Sequence, residues 1–90
     1  MEKYYLTAQN DSTKSFYNKA LVVISGNKKQ LFSYNTLVAE IINNKPVVYN
    51  IYSATTLRHI KEFLLQNGFE ANSKKQIIYD YLSKQKWRLI

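Results

Sequence analysis

YSATTLRHIKEFLLQNGFEANSKKQIIYDYL, residues 52–82, is where the apolar period of the chain changes from two residues to about 3.6. Leu57, Ile60, Phe63 and Leu64 fall on one helical face, with Ala54 a turn earlier. Ser53 or Thr55 stands where a side-chain oxygen can accept from the free N–H groups of a first turn. Asn67 and Gly68 close that helix, because glycine takes the left-handed C′ conformation at little cost, and Phe69 can fold back over the last turn. A second helix opens at Ser73, which forms a capping box with Gln76. Its apolar stripe is Ile77, Ile78, Tyr81 and Leu82. Arg58 with Glu62, and Asp80 with Lys84, sit four apart and are placed to pair on the outer faces. The predicted helices cover residues 54–67 and 74–84.

Upstream the chain reads as strands. Residues 3–7 form a short first strand and 9–15, QNDSTKS, a polar loop. ALVVIS (Ala20–Ser25) is a β-branched run, taken as an edge strand, and Gly26 and Asn27 supply turn residues after it. Residues 30–42, QLFSYNTLVAEII, alternate imperfectly, with a bulge or kink expected at 33–36. Asn43, Asn44, Lys45 and Pro46 punctuate a hairpin, and VVYNIY (47–52) closes the sheet, so the strands lie within about residues 3–52. Strands first and helices last argue a single α+β domain over residues 1–90. The expected sheet is antiparallel, of three or four strands, with both helices packed on one face. Two helices cover one side of such a sheet, so the other side is where function is sought.

Composition narrows the chemistry. Of 90 residues, 46% are hydrophobic and 21% charged, which is ordinary for a globular chain and excludes wholesale disorder. There is no cysteine, so disulfides, thiolate catalysis and finger-type zinc sites are ruled out. No apolar run approaches the ~18–20 residues that span a bilayer, and the start MEKYYLTAQN lacks an apolar signal region, so a cytoplasmic location, in a host cell, is expected. The chain carries 13 basic and 6 acidic residues for a net +7. After residue 72, Lys74, Lys75, Lys84, Lys86 and Arg88 face Asp80 alone. That bias eases encounters with polyanions. Eleven of the basic residues are lysine and two are arginine, which counts against base reading, for which arginine is the better bidentate donor.

Catalytic signals are sparse. His59 is the single histidine and is read as a surface or edge residue of the first helix, facing away from Leu57 and Leu64. The two glycines, Gly26 and Gly68, are explained by turns, so no phosphate loop or other cofactor motif is present. A non-enzymatic protein without metal or cofactor is expected. A helix-turn-helix would present Ser73, Lys74, Lys75, Gln76 and Tyr79 to a groove. The connection of residues 67–72 is too long for that motif, and capping accounts for Ser73 and Gln76. Direct nucleic-acid binding by a basic C-terminal region therefore stands second, with Arg58, Lys74, Lys75, Gln76, Lys84, Lys86 and Arg88 as its candidates. On the sheet, alternation puts Phe32, Tyr34, Thr36 and Val38 on one face and Tyr49 and Tyr52 on opposite faces. Phe32, Tyr34, Tyr49 and Tyr52 are the candidates for holding a partner, as interface anchors or as stacking surfaces.

KSFYNKA (14–20), LFSYNTLVAEI (31–41) and YSATTLRHIKEFLLQNGFEANSKKQI (52–77) together resemble a family of short domains found in bacteriophages and in mobile elements of gut bacteria. That family pairs a strand reading SYxTxVA with a helix reading YSATTxRHIxEFLxQNGF. The resemblance implies a phage-type origin and supplies no functional residue. By analogy with other very small phage proteins, it implies a protein that binds and disables a host protein or nucleoprotein, including CRISPR-type defence nucleases. Self-association into a homodimer, through the open sheet face or the strand at Ala20–Ser25, is the third reading.

Overall fold

Three two-residue turns give the sheet its order. Gly26-Asn27, Tyr34-Asn35 and Asn43-Asn44 each connect adjacent antiparallel strands in the computed structural model, which describes residues 2–10, 15–51 and 53–82. At Tyr34-Asn35 and Asn43-Asn44 both central residues have positive φ, the pattern of a type I′ turn, whose twist suits the flanking strands. Gly26 alone is positive in the first turn (φ 58°), as in type II′.

The strands are β1 (Glu2–Tyr5), β2 (Ala20–Ser25), β3 (Lys28–Ser33), β4 (Thr36–Ile42) and β5 (Lys45–Val48), paired in the order β1-β2-β3-β4-β5. Helices α1 (Ala54–Gln66) and α2 (Lys74–Tyr81) follow. The class is α+β as expected, but the sheet has five strands, not three or four. The stretch read as one kinked run is two strands reversed at Tyr34-Asn35. A β-bulge hides the reversal: Leu31 pairs with Ala39 but Phe32 with Leu37, so Val38 is an extra residue and resets the alternation. Phe32 and Val38 consequently do not share a face. Nor is β2 an edge, since β1 covers it and leaves β1 and β5 outermost.

Cross-strand partners project to the same face. Tyr4, Val22, Leu31, Ala39 and Val48 form one such row, and Val22, Leu31, Ala39 and Val48 are fully buried beneath the helices. Ile60, Phe63 and Leu64 of α1 and Ile77 of α2 complete this core with Val38, Phe16 and Leu6. Each such side chain contributes about 1.5–3 kcal/mol on removal from water.

Ser53 caps α1 by accepting from the Thr56 N–H at 3.1 Å. The helix ends in a Schellman arrangement, with the Phe69 N–H donating to the Leu64 carbonyl and the Gly68 N–H to that of Leu65. Three polar residues of α1 lie inside, Thr56, His59 and Glu62, the last two against expectation. His59 is fully buried, because Thr56, His59 and Phe63 form the strip that meets β3 and Phe16. Glu62 is only 1% exposed, and its oxygens accept from the Asn10 N–H, Asn10 Nδ2 and Gln66 Nε2. α2 is held more lightly. Ser73 Oγ accepts from the Gln76 N–H, while the Gln76 side-chain Oε1 accepts from the Asn72 N–H. Ile77 is the buried member of its stripe, Ile78 stays 39% exposed, and Leu82 bridges in parallel to Val48. Among the described residues no helix is long and apolar enough to cross a membrane.

Candidate functional site

On the side of the sheet away from the helices, register sets three rows. Lys28, Ile42 and Lys45 lie at one end. Lys3, Val23, Gln30, Glu40 and Val47 cross the middle, and Tyr5, Leu21, Phe32 and Leu37 form the far row. Leu21, Val23, Phe32, Leu37, Ile42 and Val47 are half-buried with no helix above them, so apolar surface runs across the face. In its middle the Glu40 carboxylate accepts from Gln30 Nε2 and from the Tyr49 hydroxyl, each at 2.8 Å. Burial first, then the hydrogen bond to Glu40 and its charge, push the Tyr49 phenol up to about 12. The lysines stand at the margins of this surface.

A second feature lies at the β3–β4 turn. Tyr17 and Asn18 also form a turn with positive φ at both residues, closed by the Lys19 N–H donating to the Phe16 carbonyl. The two Tyr-Asn turns are tied together by the Tyr34 N–H donating to the Lys19 carbonyl at 2.9 Å. Tyr17 is 74% exposed and Tyr34 52%. A left-handed conformation costs a residue such as tyrosine about 1–2 kcal/mol, where asparagine or glycine takes it more easily. Between these turns and α1 is a cleft of about 390 Å³ lined by Phe16, Tyr17, Lys19, Tyr34, Arg58 and His59, with Ser15 and Thr55. His59 meets Phe16 edge-on at 4.7 Å and lies 5.9 Å from Tyr34, centroid to centroid. Behind it Nδ1 is 2.8 Å from Ser33 Oγ. Ser33 is itself buried, so this serine–histidine contact joins β3 to α1 and offers no approach to a substrate carbonyl.

Of the partner candidates, Phe32 and Tyr49 are on the open face and Tyr34 is at the turn beside it. Tyr52 lies outside the described residues. The nucleic-acid candidates are not drawn together. Arg58 lines the cleft, whereas Lys74 and Lys75 are exposed at the start of α2 and take no part in that cleft. Gln76 is engaged within the chain, donating to Asp80 Oδ2 at 2.8 Å and accepting from Asn72. Lys84, Lys86 and Arg88 lie outside the described residues, as does the Lys84 member of the pair expected with Asp80. Sequence reasoning missed Tyr17, Lys19 and the cleft role of His59. The dipeptide Tyr-Asn occurs at 17–18, 34–35 and 49–50, and its first two copies, each just ahead of a strand, are the signal that could have found them. Among the described residues, no group of histidines and carboxylates is arranged to hold a metal ion.

No curated protein and no solved structure matches the chain. A family model does, across residues 4–79, from β1 through most of α2. The chain therefore belongs to the family of unknown function DUF8033.

Proposed function

We propose that the chain is a non-enzymatic binding protein that docks on a partner protein through the open face of its sheet. Given the phage or mobile-element origin that its resemblance implies, the partner is a host protein or nucleoprotein, with a CRISPR-type defence nuclease as one such target. The observation that carries this reading is the run of half-buried Leu21, Val23, Phe32, Leu37, Ile42 and Val47 on the face opposite both helices. Apolar side chains left uncovered on one face, here set around the hydrogen-bonded Gln30–Glu40–Tyr49 centre, mark an interaction site. Its chemistry favours protein over nucleic acid. The face is mainly aliphatic where base stacking needs rings, and it places the Glu40 carboxylate where phosphates would be repelled. Lys3, Lys28 and Lys45 around the margin suit a partner whose own apolar patch is bordered by acidic groups. A second copy of this +7 chain would bring like charge to that margin.

The test is capture from nuclease-treated host lysate, followed by reconstitution with the purified partner. Val23→Thr with Val47→Thr keeps the β-branched shape of both strands while making the face polar. The expected result is one protein that binds the wild type, is released by the double variant, and is kept by Lys74→Ala. Equal retention by the double variant, or no specific partner, overturns the reading.

A further inference from the structure

We propose that a pocket on the sheet beside the tyrosine turns binds the pyranose ring of a sugar. Asn18 and Asn35 bond its hydroxyls, and Tyr5 and Phe32 meet its C–H faces. The pocket, about 380 Å³, lies within the range of roughly 300–1,000 Å³ usual for small-molecule sites. Register builds its base: Tyr5 pairs with Leu21 and Leu21 with Phe32, so the two rings stand on either side of Leu21. The turns close one end with Asn18, Lys19, Tyr34 and Asn35. Leu21 and Phe32 also belong to the open face, yet the site stands without the docking proposed there, because a sugar needs no partner protein.

The lining selects the chemistry of the ligand. Asn18 and Asn35 each present an amide with donors and an acceptor, and neither side chain has a hydrogen-bond partner among the described residues. Tyr5 and Tyr34, both exposed, add hydroxyls that donate and accept. An anion only accepts, so it would leave the amide oxygens unused. A sugar hydroxyl does both and matches every one of these groups. Its C–H bonds, made electron-poor by the neighbouring oxygens, are drawn to the negative face of an aromatic ring. An extended peptide suits the place less well: β2 and β3 are paired on both sides and offer it no free backbone groups. The site is also set before any ligand arrives. Asn18 and Asn35 hold left-handed conformations, and the Tyr34 N–H to Lys19 carbonyl bond fixes one turn against the other. One ligand chemistry has two sources here: a free sugar, or the end unit of a glycan chain.

The experiment measures both. Amide chemical shifts are followed as glucose, galactose, mannose and N-acetylglucosamine are added, each as the free sugar and as its methyl glycoside. The titrations run past about 10 mM, since a ligand of about a dozen heavy atoms at ordinary efficiency binds near the millimolar range. We expect at least one of them to shift Tyr5, Asn18, Lys19, Leu21 and Asn35 together. Asn18→Gly and Asn35→Gly keep the left-handed turn and delete the amide. Tyr5→Thr keeps a good strand former and deletes the ring, and thermal melts confirm that each variant folds. Each should weaken binding about 2- to 12-fold, the effect of one neutral hydrogen bond or one ring contact, with Lys74→Ala leaving it unchanged. Binding of a methyl glycoside would assign the site to the end of a glycan, and binding of the free sugar alone to soluble sugars. The proposal is overturned if the folded variants bind as the wild type does, or if no sugar shifts these amides. Adenosine shifting them in that case would give the pocket to a flat base instead.

Discussion

A carboxylate sealed under a helix is tolerable only when donors reach both its oxygens, and Glu62 has three. The Asn10 N–H meets Oε1 at 2.6 Å, while Asn10 Nδ2 and Gln66 Nε2 meet Oε2 at 2.8 Å. These bonds fasten the segment after β1 to α1, across 52 residues of chain. Glu62→Gln changes one acceptor into an NH₂ that must confront a donor. We expect it to cost about 1.5–3 kcal/mol, the scale of a hydrogen bond to a charged group, read as a lower urea midpoint with unchanged slope. An unchanged midpoint would mean that the amide finds other partners. Tyr49 supplies a pH-dependent counterpart. Its folded pKa is raised from 10.0 to about 12, so the folded state holds the proton more tightly than the unfolded state does. The resulting stabilisation is fully present below pH 10 and is lost as the pH rises through about 12. Tyr49→Phe should therefore flatten the fall in stability across that alkaline window. Some slope should remain, because burial also raises Tyr4 and Tyr81. An identical alkaline profile in the variant would show that the Tyr49 phenol is not raised by its burial and its bond to Glu40.

Element boundaries were legible where backbone chemistry and residue type agreed. Ser53 and Ser73 cap their helices as read, and Gly68 is the left-handed C′ residue of α1 at φ 84°. A methyl group at Gly68 would meet nothing within 4 Å, so Gly68→Ala isolates the backbone term. We expect it to cost about 1 kcal/mol, a fall of roughly 4–8 °C in Tm for a chain of this size. A Tm unchanged by the substitution would show that the helix end relaxes out of the Schellman geometry. The Gly26 and Asn43-Asn44 turns were legible for the same reason. Tyr34-Asn35 was not, since tyrosine carries no preference for positive φ and Val38 offsets the strand alternation beyond it. That one concealed turn accounts for the extra reversal in the sheet, and it also hid the cleft, because Tyr34 was read as a strand residue. His59 and Glu62 were misplaced for a different reason. Periodicity ranks apolar residues, while α1 buries whatever its neighbours can hydrogen-bond, and Ser33 and Asn10 are supplied from distant parts of the chain. The open face, in contrast, follows from counting layers, and its row of Tyr5, Leu21, Phe32 and Leu37 needed only the register.

At the scale of the molecule the two helices are not equivalent. α1 buries six side chains, whereas α2 buries Ile77 alone among its eight residues and reaches β5 through Leu82. Every residue of β1 is exposed, although its backbone pairs with β2. Segments with few buried contacts open at lower free energy than the core they rest on. Native-state hydrogen exchange should therefore find β2, β3, β4 and α1 exchanging only through global unfolding, with α2 exchanging through a cheaper local opening. Ile77→Ala sharpens the test, because truncating a fully buried isoleucine costs about 2–5 kcal/mol. If α2 opens separately, most of that loss falls on α2: its amides lose protection while those of β3 and α1 change little. The exposed Lys74 and Lys75 would then ride on a detachable element, whereas the β2–β4 part of the open face and the α1 side of the tyrosine cleft belong to the rigid part of the fold. Equal loss of protection in α2 and β3 would make the chain a single cooperative unit, with α2 as integral to both surfaces as α1.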